Sequence, residues 1–165
     1  MKRRFQTALA CAVTMLTACD QRERTGPPEL RLGRDQCAQC GMIIMEDRCS
    51  SATLVEDRGR RSYRLFDDIG CMLDDLRENP AAVTVIDRFV HDHGTRAWIR
   101  AADAVFFYAD PISLHTPMGT GIVAFAARAD AQALHAIHGG EILDEPAISA
   151  ARARRVLARQ RGEDD

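Results

Sequence analysis

At 165 residues with 46% apolar side chains, the chain supports one domain, or two small ones sharing a core. Its formal charge is −2, and removal of the basic leader described below leaves 19 basic against 24 acidic groups, or −5. So acidic an exported protein lacks the concentrated basic surface that nucleic-acid binding needs.

Lys2, Arg3 and Arg4, the mostly apolar run Phe5 to Leu16, and Leu16-Thr17-Ala18-Cys19 form the pattern of an exported bacterial precursor. The apolar run is too short to cross a bilayer core of ~30 Å. Leu-Thr-Ala-Cys resembles the lipobox of bacterial lipoproteins, so residues 1–18 are expected to be a signal peptide and Cys19 the acylated first residue. The alternative is a simple secretory signal in which Cys19 is accidental. The lipoprotein reading puts the protein on the periplasmic side of a bacterial membrane, inner or outer. Residues 19–36, polar and broken by Gly26-Pro27-Pro28, read as a tether.

The folded part then opens on Cys37-Ala38-Gln39-Cys40-Gly41-Met42. Met42 to Met45 is a short apolar run with strand character. Cys49 to Val55 and Arg61 to Phe66 read as strands joined by the turn Glu56-Asp57-Arg58-Gly59. Asp67 is expected to cap a helix through Glu78, with Ile69, Met72, Leu73 and Leu76 on one face and Asn79-Pro80 ending it. Ala82 to Val90 gives the next strand. The order then repeats: Ala97 to Tyr108 as a strand with an irregular middle, Gly121 to Phe125, a helix over Ala129 to Ile137, and a short strand at Glu141 to Asp144. The spacing predicts an α+β fold of two ββαβ units packed together, the first within residues 37–95 and the second within 96–146. A C-terminal helix and tail occupy 147–165.

Two thiols three residues apart on a turn converge on one point, and the motif alone leaves three uses open. These are half of a structural zinc site, a redox dithiol, and a soft-metal site. No helix follows Cys40 to activate a thiolate by its dipole, and the next close Cys/His pair is His91-x-His93. Thioethers move the balance, because a soft lone pair with no proton to lose selects monovalent copper over zinc or hard ions. Met118 lies in the turn Thr116-Pro117-Met118-Gly119, where an apolar side chain has little core reason to be. Met42 adjoins the Cys pair. Met45 and Met72 read instead as core fillers. Cu(I) held by Cys37, Cys40 and Met118, with Met42 close by, is the expected site, and zinc is a second candidate ion. His115, three residues before Met118, and His91 and His93 are weaker candidate ligands. Cys49 and Cys71 have two readings: a disulfide with each other, or, for Cys49, simple burial. Asp67-Asp68 reads as helix capping, and no nucleophile with a base-bearing motif and no phosphate loop is present, so an enzyme is not expected.

These motifs resemble the NosL family, lipoprotein copper chaperones of nitrous oxide reductase maturation in denitrifying bacteria. The resemblance runs from Cys37 to about Asp144. It rests on Cys37-x-x-Cys40-Gly41-Met42-x-Ile44, Phe66-Asp67-Asp68-Ile69-Gly70, Phe89-Val90-x-Asp92 with Trp98-Ile99, Thr116-Pro117-Met118-Gly119-x-Gly121 with Ala124-Phe125, and Gly139-Gly140. It implies a fold of two ββαβ units related to a domain of organomercurial lyase. It further implies carriage of Cu(I) to nitrous oxide reductase, with the membrane transporter of the same assembly pathway as a second partner. His93 departs from the aromatic residue that relatives commonly carry there. Two rival functions remain: an organomercurial-lyase-like soft-metal enzyme, which needs a carboxylate beside the Cys pair and for which Asp68 is the one candidate, and a periplasmic thiol–disulfide carrier using Cys37 and Cys40.

Overall fold

Arg58 (φ 50°) and Gly59 (φ 75°) both adopt left-handed backbone, the geometry of a two-residue turn whose twist suits antiparallel strands. They join β1 (Ser51–Asp57) to β2 (Arg60–Phe66). The computed structural model describes residues 24–80 and 83–162, so the expected signal peptide and Cys19 lie outside the described residues.

Helix α1 (Ile69–Glu78) follows β2, and Asp68 rather than Asp67 is its cap: extended at φ −142°, it accepts the Gly70 N–H at 2.7 Å. The chain returns as β3 (Thr84–His91) on the other side of β1, and β4 (Trp98–Arg100) pairs outside β3. A single 3₁₀ turn at Ala101–Asp103 leads into β5 (Val105–Tyr108), which starts a second sheet. The expected strand Ala97 to Tyr108 is therefore two strands in different sheets. Strand β6 (Ile122–Phe125) pairs on one side of β5, helix α2 (Arg128–His138) crosses over, and β7 (Glu141–Leu143) pairs on the other side. The order β6-β5-β7 reproduces β2-β1-β3, so the α+β fold is the doubled ββαβ arrangement the sequence predicts. Helix α3 (Glu145–Arg161) closes the molecule, capped by Asp144, which takes the Ala147 N–H at 2.9 Å.

Strand β5 is apolar throughout because both faces of its sheet are covered. Phe106 and Tyr108 face a core built from α1, α3 and β3, through Ile69, Met72, Ile148, Ala151 and Val90. Phe107 points the opposite way, with Val123 and Phe125 of β6, toward Ala131 of α2 and toward Cys49. Each fully buried Phe contributes roughly 1.5–3 kcal/mol of hydrophobic stabilisation.

Two expectations fail for the same reason. Met42 to Met45 is not a strand of a sheet; its only β contact among the described residues is a bridge between Gln36 and Ile43. Extended chain alternates its side chains, so Ile44 is fully buried while Met45 is 72% exposed and fills no core space. Met72 does fill the core, as expected.

Buried carboxylates connect the two units. Asp92, at the end of β3, accepts N–H bonds from Gly94 (3.0 Å), Thr95 (2.7 Å) and, across the boundary, Ala126 (2.7 Å). Asp68 does the same toward the loop before β6, as described below. Residues 24–28, within the expected tether, lie against the body. Pro28 is buried, the Tyr63 hydroxyl donates to the Gly26 carbonyl at 2.7 Å, and the Arg24 guanidinium sits 6.0 Å from the Tyr63 ring centroid.

Candidate metal centre

The Cys loop is a tight reversal. Gly41 N–H donates to the Cys37 carbonyl (2.9 Å), and Cys37 N–H donates to the Met42 carbonyl (2.8 Å). Gly41, at φ 76°, supplies the left-handed residue the reversal requires. Ala38 N–H then donates to the Leu65 carbonyl at 2.7 Å, which docks the loop on the end of β2, immediately before Asp67. Sequence-distant donors meet there. One ligand atom each from Cys37, Cys40, Asp67 and Cys71 lie within 4.8 Å of one another.

The cluster is graded in depth. Cys37 and Cys71 are buried, whereas Cys40 is exposed. The Cys71 thiol donates to Cys37 and, with the N–H groups of Cys40 and Asp67, holds the Cys37 thiol below the ordinary thiol range against the opposing effect of burial. Desolvation pushes Cys40 up to about 11, and the hydrogen bond to Cys37 followed by burial pushes Cys71 up. The Cys40 thiol reaches Asp67 Oδ2 at 3.6 Å, while Asp67 Oδ1 is buried with no hydrogen-bond partner. A lone buried acceptor among thiols suits a cation.

The Thr116–Gly121 loop arrives at the same helix start through Asp68. That fully buried carboxylate accepts from Thr116 Oγ1 (2.7 Å), the Met118 N–H (3.1 Å) and Thr120 Oγ1, besides the Gly70 N–H. Met118 is thus held by its backbone to Asp68, the residue next to the cluster's carboxylate, and is 37% exposed. Met42 is 54% exposed at the end of the Cys turn. Arg64 on β2 grips Asp75 and Arg152 on α3 grips Asp74 (2.7 and 3.1 Å), so α1, and with it Cys71, is held from two sides.

A family model for NosL matches residues 31–152. The chain belongs to the NosL family. The copper-binding lipoprotein NosL of Stutzerimonas stutzeri is 28% identical over 156 residues, covering 89% of this chain and 80% of that protein. The crystal structure of the copper chaperone NosL from Shewanella denitrificans has the same fold, with a TM-score of 0.56 at 21% identity over 72% of this chain and 94% of that one.

Within this NosL-family chain, Cys37 and Cys40 come together as their spacing implies. Asp67 and Cys71 join them although the sequence reading assigned them elsewhere. Asp67 was expected to cap α1, but Asp68 does so and leaves Asp67 free to face Cys40. A disulfide between Cys71 and Cys49 does not form: both are free, and Cys49 lies in the separate core beside Phe107, where burial pushes its thiol up to about 12. The usable signal was Asp67-Asp68 itself, since one helix start needs one capping carboxylate. Among the histidines, His91 is a core residue, bonded to Ser50 Oγ at 2.8 Å and stacked 3.6 Å from the Trp98 ring. His93 packs edge-on against Phe125, and His115 is exposed beside the Met118 loop.

Proposed function

We propose that the protein binds Cu(I) as cargo and hands it to nitrous oxide reductase during assembly of that enzyme's copper centres, rather than catalysing a reaction. The observation that carries this is the convergence of three free thiols and a carboxylate at the start of α1, with the Met118 loop tied to the next residue. Thiolate and thioether ligands favour monovalent copper. The names of the two relatives, a copper-binding lipoprotein and a copper chaperone, support the same reading.

Cys37 and Cys40 supply the thiolates, Met118 a thioether, and Met42 a second thioether close by. Exposure of Cys40, Met42 and Met118 on the solvent side lets an acceptor's ligand approach before the old bonds break, which a closed cage would prevent. The assembly transporter is the second partner. Acylation of Cys19 holds the protein on the periplasmic side of its membrane; among the described residues no helix is long and apolar enough to cross one. A competition titration with a Cu(I) chelator tests the two-loop site. In a Cys71→Ser background, where Cys37 and Cys40 are the thiols available, Met118→Ala is expected to weaken Cu(I) binding roughly tenfold further, and an unchanged affinity removes Met118 from it. Anomalous scattering at the copper and zinc edges on loaded protein decides between Cu(I) and zinc, for which Asp67 would complete a four-donor set.

Asp67 also favours a second reading. The organomercurial-lyase-like alternative needs a carboxylate beside the Cys pair, and the one that stands there is Asp67, 3.6 Å from Cys40, not the expected Asp68, whose oxygens are taken by Gly70, Thr116, Met118 and Thr120. In that reaction the thiolates take mercury, the carbon–mercury bond breaks, and a proton passes to carbon to release the hydrocarbon. Hydrocarbon release from an organomercurial by purified protein would establish it, and none by the reduced protein dismisses it.

A further inference from the structure

The Cu(I) reading places the ion at the Cys37–Cys40 pair, yet the deeper thiol of the cluster belongs to Cys71. We propose that Cys71 gives copper a second, inner resting position, sharing Cys37 with the rim position at Cys40, and that the ion steps outward between them on its way to an acceptor. This deepens the Cu(I) reading and rests on it.

Three features point to two positions rather than one. The donor atoms are close enough to exchange an ion without moving the fold, all within 4.8 Å. They differ sharply in access: Cys37 is 2% and Cys71 6% exposed, whereas Cys40 faces solvent. They also sit on parts of different firmness. Cys71 lies in the first turns of α1, which Asp68, Arg64 and Arg152 fix in place, while Cys40 lies on a reversal docked by the Ala38 N–H bond to Leu65. Two thiolates suffice for a monovalent copper ion, so a third within reach competes for it. An inner pair away from water retains the ion, and an outer pair that includes the exposed Cys40 presents it.

The step is a ligand exchange without redox change. The copper–sulfur bond to Cys71 breaks, one to Cys40 forms, the bond to Cys37 persists, and the proton leaving Cys40 is regained by Cys71. Asp67 Oδ2 borders Cys40 on this path.

The test uses the full mature chain loaded with one equivalent of Cu(I), read by chelator competition and by the rate of copper release to bathocuproine disulfonate. Cys71→Ser is expected to release copper roughly tenfold faster with weakened affinity, and Cys40→Ser to release it roughly tenfold more slowly. Circular dichroism of each variant verifies folding. Because a buried substitution can unfold the chain, the wild-type protein supplies a second readout. With the inner position filled, N-ethylmaleimide alkylates Cys40 almost as fast as in the copper-free protein. Equal release from Cys71→Ser and wild type, or full protection of Cys40 by one equivalent of copper, overturns the inner position. Failure of wild-type protein to bind Cu(I) at all overturns the Cu(I) reading instead, and retention of full affinity by Cys37→Ser overturns both positions, which share that thiol.

Discussion

Asp68 has two tasks at once, and the chemistry of a carboxylate explains why one residue can hold both. An ionised carboxylate only accepts hydrogen bonds and has room for about four. Here they come from the start of α1 and from three donors of the Thr116–Gly121 loop. Asp68→Ala would leave those buried donors unpaired, and we expect a loss of about 3 kcal/mol or more in urea unfolding, with Cu(I) affinity falling as the Met118 loop comes loose. The histidines make a different prediction. Burial holds His91 and His93 below the ordinary imidazole range. The unfolded chain therefore takes up these protons at a higher pH than the folded one. Stability from this source is complete above about pH 6.5 and is lost as the pH falls beneath it. The urea midpoint should drop between about pH 7.5 and about pH 5.5, and His91→Gln should flatten that drop. At this scale the Cys-x-x-Cys pair was legible because its spacing alone brings two thiols together. Cys71 was not, since its partner Cys37 lies 34 positions away in the chain and only the docking of a loop on β2 joins them.

At the scale of elements, periodicity found each helix and most strands, because an apolar stripe must face one of the buried clusters. It failed where extended chain had no sheet to join, at Met42 to Met45, and where one run served two sheets, at Ala97 to Tyr108. No periodic signal marks a strand that leaves one sheet and continues in another. Packing of α1 on the Met118 loop makes a sharp prediction. Alanine is ordinarily preferred to glycine inside a helix by about 1 kcal/mol. A Cβ on Gly70, however, would stand 2.4 Å from Thr120 Cγ2. Gly70→Ala should therefore destabilise the protein and displace the loop, whereas the double change Gly70→Ala with Thr120→Ser should recover part of the loss by removing that methyl. Thermal unfolding of the pair as a double-mutant cycle measures the coupling.

For the whole molecule, the doubled ββαβ order was readable from the succession of elements, but what binds the halves together was not. Asp92 and Asp68 project from the first unit and accept backbone hydrogens of the second. Burial alone would push Asp92 up. The N–H groups of Thr95 and Ala126, the Thr95 hydroxyl and the Gly94 N–H together hold it below the usual carboxylate range. A depressed carboxylate stabilises the fold above its unfolded value and loses that contribution as pH falls through the folded one. Acid unfolding should thus steepen below about pH 4, less so in Asp92→Asn. Helix α3 joins through Arg152, buried and bidentate on Asp74. Arg152→Ala should cost about 2 kcal/mol, more than an exposed ion pair is worth, because Asp74 then keeps only its looser contact with Arg77 at 3.8 Å.

The docking of Arg24 to Pro28 on the body bears on orientation. Only five residue steps separate Arg24 from Cys19, a leash of about 18 Å at full stretch. Under the proposed acylation at Cys19, the strand that carries Tyr63 rides close above the lipid headgroups. That edge of the molecule then stays within the same short reach of the bilayer, where a tether running free to residue 36 would let the whole body stand off.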